Sequence, residues 1–156
     1  MSNVTRYAVA GLSLTAAGLV SLANFEGFRS EAYVPVPGDV PTIGFGSTTG
    51  VQMGDKISVP EALGRLQKDV HIAEETVRRC VKVPLAQREF DVYSAFAYNI
   101  GGSAFCNSTL VRKLNSEDYQ GACAELKRWV YVDGRVVQGL VNRREAEYRR
   151  CMGDQQ

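Results

Sequence analysis

The sequence predicts a single α+β domain of two lobes, and three observations carry that prediction. Its 156 residues suit one domain, by the usual prior of about 100 to 200 residues each. Residues 31–57 hold Pro35, Pro37 and Pro41 with Gly38, Gly44, Gly46, Gly50 and Gly54, the composition of turns and short strands. Helical periodicity then runs to the C-terminus, beginning with one long amphipathic stretch. Hydrophobic residues at 45% and charged residues at 22% lie close to globular averages, which argues against disorder and fibrous repeats. The formal charge of +1 creates no global field that would draw the chain onto nucleic acid, and no such partner is predicted.

The N-terminal element is ambiguous. After Arg6, the 19 residues Tyr7–Phe25 carry no charge, nearly the length of about 20 that spans a bilayer. Ten of those 19 are Ala, Gly, Ser or Thr, so insertion into lipid would be weak. A cleaved signal peptide is the rival, with Arg6 as its basic region and Ala17 or Ala23 at the cleavage site. It ranks second because the segment runs straight into residues with the character of a catalytic site. An ordinary first helix, with Leu12, Leu19 and Leu22 on one face, is the third reading.

The later elements have clearer punctuation. Ser58 and Glu61 form a capping-box pattern with Pro60 in the first turn, and Ala62, Leu63, Leu66, Val70, Ala73 and Val77 follow at helical spacing. A linking helix over about 59–80 is predicted, stopping before Pro84. A helical lobe over about 84–152 follows. In it, Glu89–Ile100 has helical spacing through Phe90, Tyr93, Phe96 and Ala97 and ends at Gly101-Gly102. Asn107 or Ser108, Ser116 and the Gly139 region offer further helix starts. Trp129 reads as core, and His71 as a mid-helix residue without a chemical role.

Cys80, Cys106, Cys123 and Cys151 form no C-x-x-C pair and have only His71 as an imidazole companion, so no metal site is expected. Following a hydrophobic N-terminus, they read as two disulfides made in an oxidising compartment, with buried thiols as the alternative. Three connectivities are open, of which Cys106–Cys123 with Cys80–Cys151 is favoured.

The chemistry gathers where the first helix meets the β-rich lobe, in Glu26-Gly27-Phe28-Arg29, Ala32-Tyr33 and Thr42-Ile43-Gly44-Phe45-Gly46. A glutamate ending an uncharged stretch sits at a helix C-terminus and partly out of water, a setting for a general acid. A solvated helix-end residue is the competing role. Glycines flanking Phe45 allow a strand to approach another backbone or a ligand closely.

These blocks resemble the phage-type lysozymes, the endolysins related to the lysozymes of T-even phages. The resemblance continues through Ala97-Tyr98-Asn99-Ile100-Gly101, Phe105-Cys106-Asn107-Ser108-Thr109-Leu110, Trp129, and Gly139-Leu140-x-Asn142-Arg143-Arg144-x-Ala146-Glu147. It covers essentially all of the chain after Ala23. It implies a lysozyme-like fold with a cleft between lobes, no cofactor, and hydrolysis of the β-1,4 bond between N-acetylmuramic acid and N-acetylglucosamine in peptidoglycan. In domain terms, residues 1–25 form the weakly hydrophobic segment and 26–156 the catalytic domain, whose β-rich lobe covers about 26–57.

Carried over by position, Glu26 is the general acid and Thr42 helps hold the attacking water. The family's aspartate two residues after the tyrosine is replaced here by Pro35. The Glu26–Thr42 stretch is also one residue longer than the family pattern and contains Asp39, which becomes the candidate base, with Glu31 behind it. An inverting glycosidase places its second carboxylate about 6.5 to 9.5 Å from the acid. Without one, Glu26 alone would suit a lytic transglycosylase, and an inactive peptidoglycan-binding lysis regulator is the further alternative. Arg143 is expected to hold the catalytic carboxylate, and Tyr98, Asn99, Phe105 and Ser108 to line the sugar-binding cleft.

Some members of this family carry a signal-anchor-release segment, and Tyr7–Phe25 resembles one. The resemblance implies a monomer exported to the periplasm of a Gram-negative host, first tethered to the inner membrane through residues 7–25. A domain anchored permanently in the inner membrane is the bland alternative.

Overall fold

A computed structural model describes residues 3–154. A short 3-10 turn at Val9–Gly11 leads to α1 (Ala16–Glu26), then β1 (Arg29–Tyr33), β2 (Thr42–Gly44) and the long α2 (Val59–Cys80). The helical lobe comprises α3 (Gln87–Ile100), α4 (Gly102–Cys106), α5 (Thr109–Asn115) and α6 (Tyr119–Glu125). A hairpin of β3 (Tyr131–Val132) and β4 (Arg135–Val136) precedes α7 (Gln138–Met152).

The uncharged N-terminal run is not one helix. The Thr15 hydroxyl accepts the Gly18 amide at 3.0 Å, capping α1 and fixing its start at Ala16. Upstream, Tyr7 and Leu85 exchange a pair of 2.9 Å backbone hydrogen bonds, holding the chain extended. Leu12 therefore reaches the core from outside a helix, Leu22 reaches it from α1, and Leu19 is only partly covered. Among the described residues no helix is long and apolar enough to cross a membrane.

Two short strands and their turns occupy the stretch rich in glycine and proline. β1 and β2 are antiparallel, with Arg29 opposite Gly44 and Tyr33 opposite Thr42, and an irregularity between the two pairs absorbs the extra residues of β1. The Ser58–Glu61 capping box opens α2 as expected, with Ser58 N donating to Glu61 Oε2 at 2.9 Å. α3 begins two residues earlier than Glu89, whose carboxylate reaches back to the Ala86 amide at 2.8 Å. Ser108 caps α5, whereas Asp118 rather than Ser116 caps α6.

The core forms where α2 and α3 pack. Leu66, Val70 and Val77 face Phe90, Tyr93 and Phe96, all essentially without solvent contact. Phe96 meets Trp129 edge-on at 5.5 Å and Phe105 at 6.3 Å; Trp129, read from the sequence as core, is only partly buried and packs against the edge of the core.

The four cysteines form two disulfides, but the favoured pairing is corrected: Cys80 joins Cys106 and Cys123 joins Cys151. The end of α2 lies against α4, where a Cβ on Gly102 would touch Thr76 Cγ2 at 3.3 Å, and this puts Cys80 beside Cys106. Cys123 on α6 and Cys151 on α7 meet beside the Tyr93 hydroxyl.

Candidate active site

Glu26 is the last residue of α1, and the helix stops there because Gly27 adopts φ +70°. Its side chain points at the junction of the lobes, where Arg143 Nη1 donates to Glu26 Oε1 at 3.0 Å. Arg143 comes from α7 and is buried, with its guanidinium carbon 4.9 Å from the Phe25 ring centroid. The expected partnership of Arg143 with Glu26 is thus formed in the fold, by residues 117 positions apart.

The two strand glycines have separate reasons. A Cβ on Gly44 would lie 2.9 Å from Ala62 Cβ, so β2 can approach α2 only without a side chain there. At Gly46 a Cβ would lie 3.7 Å from the Tyr98 hydroxyl and 3.9 Å from Glu26 Oε2. Gly46 therefore brings the β-lobe backbone beside both groups. Tyr98, half-buried, has its phenol pushed up to about 12, first by burial and then by the carboxylates of Glu26 and Asp69, with Arg143 opposing.

Thr42 is buried on β2 opposite Tyr33 and donates to the Val40 carbonyl at 3.2 Å. Asp39 sits exposed in the turn between the strands, where its carboxylate accepts the Val40 amide at 2.8 Å. Glu31 is exposed on β1 and pairs with Lys56 at 3.3 Å. Asn99 is exposed at the end of α3 and accepts a hydrogen bond from Arg144.

Two expected cleft residues belong elsewhere. Phe105 is wholly buried against Tyr93 and Phe96, so its ring packs the core and presents no face to a ligand. Ser108 is buried as the cap of α5, its hydroxyl donating to the Phe105 carbonyl at 2.6 Å and accepting the Val111 amide at 3.2 Å.

Asp69 is the group that sequence reasoning passed over. It accepts a 2.6 Å hydrogen bond from Ser47, beside Gly46, and faces Tyr98 from α2. An aspartate on the polar side of an amphipathic helix carries no local signal of such a contact. Among the described residues no three His, Cys, Asp or Glu side chains gather as metal ligands.

A small β-rich lobe, a linking helix, a helical lobe and a glutamate held by a buried arginine between them define the lysozyme-like class. The chain belongs to the phage lysozyme family, whose model matches residues 23–147. It is 38% identical over 134 residues to the endolysin of Acyrthosiphon pisum secondary endosymbiont phage 1, across 83% of this chain and 91% of that protein. It is 32% identical over 157 residues to the SAR-endolysin of Bacteriophage PS119, across 100% of this chain and 93% of that one. The muramidase domain of SpmX from Asticaccaulis excentricus superposes with a TM-score of 0.85 at 28% identity, across 90% of this chain and 98% of that domain.

Proposed function

We propose that the protein is a phage or prophage endolysin, an N-acetylmuramidase that cleaves the β-1,4 bond between N-acetylmuramic acid and N-acetylglucosamine and so lyses the host. The observation that carries this reading is the Glu26–Arg143 pair at the lobe junction, faced by Gly46 and Tyr98. Glu26 gives its proton to the glycosidic oxygen as the bond to the sugar C1 breaks through an oxocarbenium-like state. Water then adds to C1, and its proton leaves to a base. Thr42, at its family position, and Asp39, as a base displaced from the position held here by Pro35, are the groups proposed to hold and deprotonate that water. Tyr98 and Asn99 supply an aromatic edge and an amide beside the cleft for N-acetyl sugars.

A second reading has its own support in the exposed, self-capping position of Asp39 and in Pro35 at the family's aspartate position. In that reading Glu26 acts as acid and then base while a substrate hydroxyl attacks C1, which gives an anhydro sugar. Mass spectrometry of muropeptides released from peptidoglycan separates the two, with Glu26→Gln as the blank. Reducing-end muramic acid products are expected, together with a loss of about 10²- to 10⁴-fold in rate in Glu26→Gln. Anhydro products would establish transglycosylation, and wall binding without products would leave a binding or regulatory protein.

We also propose that the protein acts as a monomer in the periplasm after a tethered stage in which residues 7–25 lie in the inner membrane. The support is the likeness to SAR-endolysins together with the uncharged, small-residue composition of that stretch. While those residues are in lipid, α1 cannot carry Glu26 to Arg143. Gly18 is a poor place to test this, because a Cβ there would lie 2.9 Å from Asp91. Gly11 has open space around it and Ala17 is exposed. Gly11→Leu with Ala17→Leu is expected to retain the protein in the membrane fraction and delay lysis, and unchanged fractionation would sink the tether.

A further inference from the structure

This inference rests on the proposed role of Glu26 and concerns what positions its carboxyl. Two arginines and two carboxylates run in line from the lobe junction into the helical lobe. Arg143, 7% exposed, donates from Nη1 to Glu26 Oε1 at 3.0 Å and from Nε to Glu147 Oε1 at 3.1 Å. Glu147, 3% exposed, accepts Arg144 Nη1 on its other oxygen at 2.7 Å. Arg144, 1% exposed, is fixed in turn by the Trp129 carbonyl at 3.0 Å and by the Asn99 side chain. The remaining nitrogen of Arg143, Nη2, is buried without a partner.

A guanidinium grips a carboxylate most strongly with two parallel donors. Here Glu26 receives one, because Glu147 occupies Nε and sets the plane of the group. Tyr98 from α3 also lies close enough to Glu26 to feel its charge, and Asp69 from α2 acts on Tyr98 from another side. Glu147 is hydrogen-bonded to both arginines and so neutralises one of two charges that would otherwise bear on Glu26 alone.

We propose that Glu147 is a positioning residue for Glu26: it orients Arg143 so that Glu26 takes a single guanidinium hydrogen bond, and it offsets the second buried arginine. Glu26 is thereby held by one oxygen, Oε1, while Oε2 faces Gly46 and stays free for the substrate. Without Glu147, Arg143 is free to turn Nη2 onto that second oxygen and draw the carboxyl out of position. A purely structural role predicts lost stability in a Glu147 variant and leaves kcat of the folded protein alone.

The test is ¹⁵N NMR of the Arg143 guanidinium, with steady-state kinetics of wall solubilisation, on the whole protein and on two variants. In Glu147→Gln the Arg143 signal is expected to lose the resolved, hindered-rotation pattern of a group fixed at Nε and Nη1, and kcat to fall about tenfold with KM unchanged. Glu147→Asp, which keeps the carboxylate one methylene shorter, is expected to show a smaller change in both. A folded Glu147→Gln protein with an unmoved Arg143 signal and the parent kcat overturns the proposal. If that variant does not fold, an unmoved Arg143 signal and the parent kcat in Glu147→Asp overturn it. A displaced Arg143 signal in a protein that releases no wall fragments would refute the enzymatic reading and leave this one standing, and the reverse pattern would do the opposite.

Discussion

Residues 6–21 and the α2–α3 pair are docked onto the same body by different chemistry. The N-terminal segment is fastened by polar groups: Arg6 on Glu89 at 2.7 Å, Leu14 N on Glu74, and the amide and hydroxyl of Thr15 on Asp91. Arg78 donates to the Leu12 carbonyl and Arg150 to the Ser21 hydroxyl. Glu74, Glu89 and Asp91 are themselves buried. The α2–α3 pair is instead closed by Leu66, Val70, Val77, Phe90, Tyr93 and Phe96. A net hydrogen bond to a charged group is worth about 1.5 to 3 kcal/mol, similar to a buried large apolar side chain, but it depends on direction and is lost with small displacements. A segment held mostly by directional bonds, with Leu12 as its buried large apolar side chain, uncovers little apolar surface when it leaves, which is what the proposed tethered stage requires.

The comparison breaks most visibly in the apolar region. Phe96→Ala removes a ring wedged between Phe105 and Trp129 and is expected to cost about 3 to 5 kcal/mol, read as a lower denaturant midpoint for the whole domain. Opening either disulfide, across 26 residues for Cys80–Cys106 or 28 for Cys123–Cys151, is expected to cost about 3 kcal/mol. Thermal melts with and without reductant measure it. Asp91→Asn is expected to cost about 1 to 3 kcal/mol, and its signature is local. Hydrogen exchange should rise over residues 7–21 and wall-degrading activity should fall, with α3 protection unchanged; a uniform rise through α3 would erase the distinction between the regions.

The smallest effect concerns alkaline pH. Tyr98 has a folded value of about 12 against about 10 unfolded, so the folded state prefers the neutral phenol. That contribution is complete below pH 10 and is lost as pH rises through about 12. It is worth about 1 kcal/mol once partial solvent exposure is allowed for. Burial pushes Tyr93 up as well, and both belong to α3, whereas Tyr7 of the N-terminal segment is exposed. Alkaline unfolding should therefore start in the helical lobe, and Tyr98→Phe should flatten the decline between pH 10 and 12 in a denaturation series.

Much of the fold was legible because its signals are local. The Ser58–Glu61 box, Pro84, Gly101 and the positive-φ turn glycines Gly38, Gly50 and Gly54 act within a turn or two of chain, so the long helix and the turns around it follow from the sequence. The β3–β4 hairpin had an equally local signal that the helix-start reading missed: Asp133-Gly134, at φ +49° and +74°, is a two-residue hairpin turn. The start of α1 was harder, because an uncharged run shows no amphipathic face and the decisive contacts of Thr15 and Leu14 are with Asp91 and Glu74.

Composition and spacing made Glu26 a candidate acid at a helix end, and the ordered blocks around it placed the chain among the phage lysozymes. Packing alone brought Arg143 across 117 positions to that carboxyl, paired Cys80 with Cys106, and turned Phe105 into core. Caps, turns and helical periods are governed by neighbours within a few residues, which a sequence displays directly. Ion pairs, disulfides and burial depend on which helices come to lie side by side, and that follows from the closure of the whole core around them.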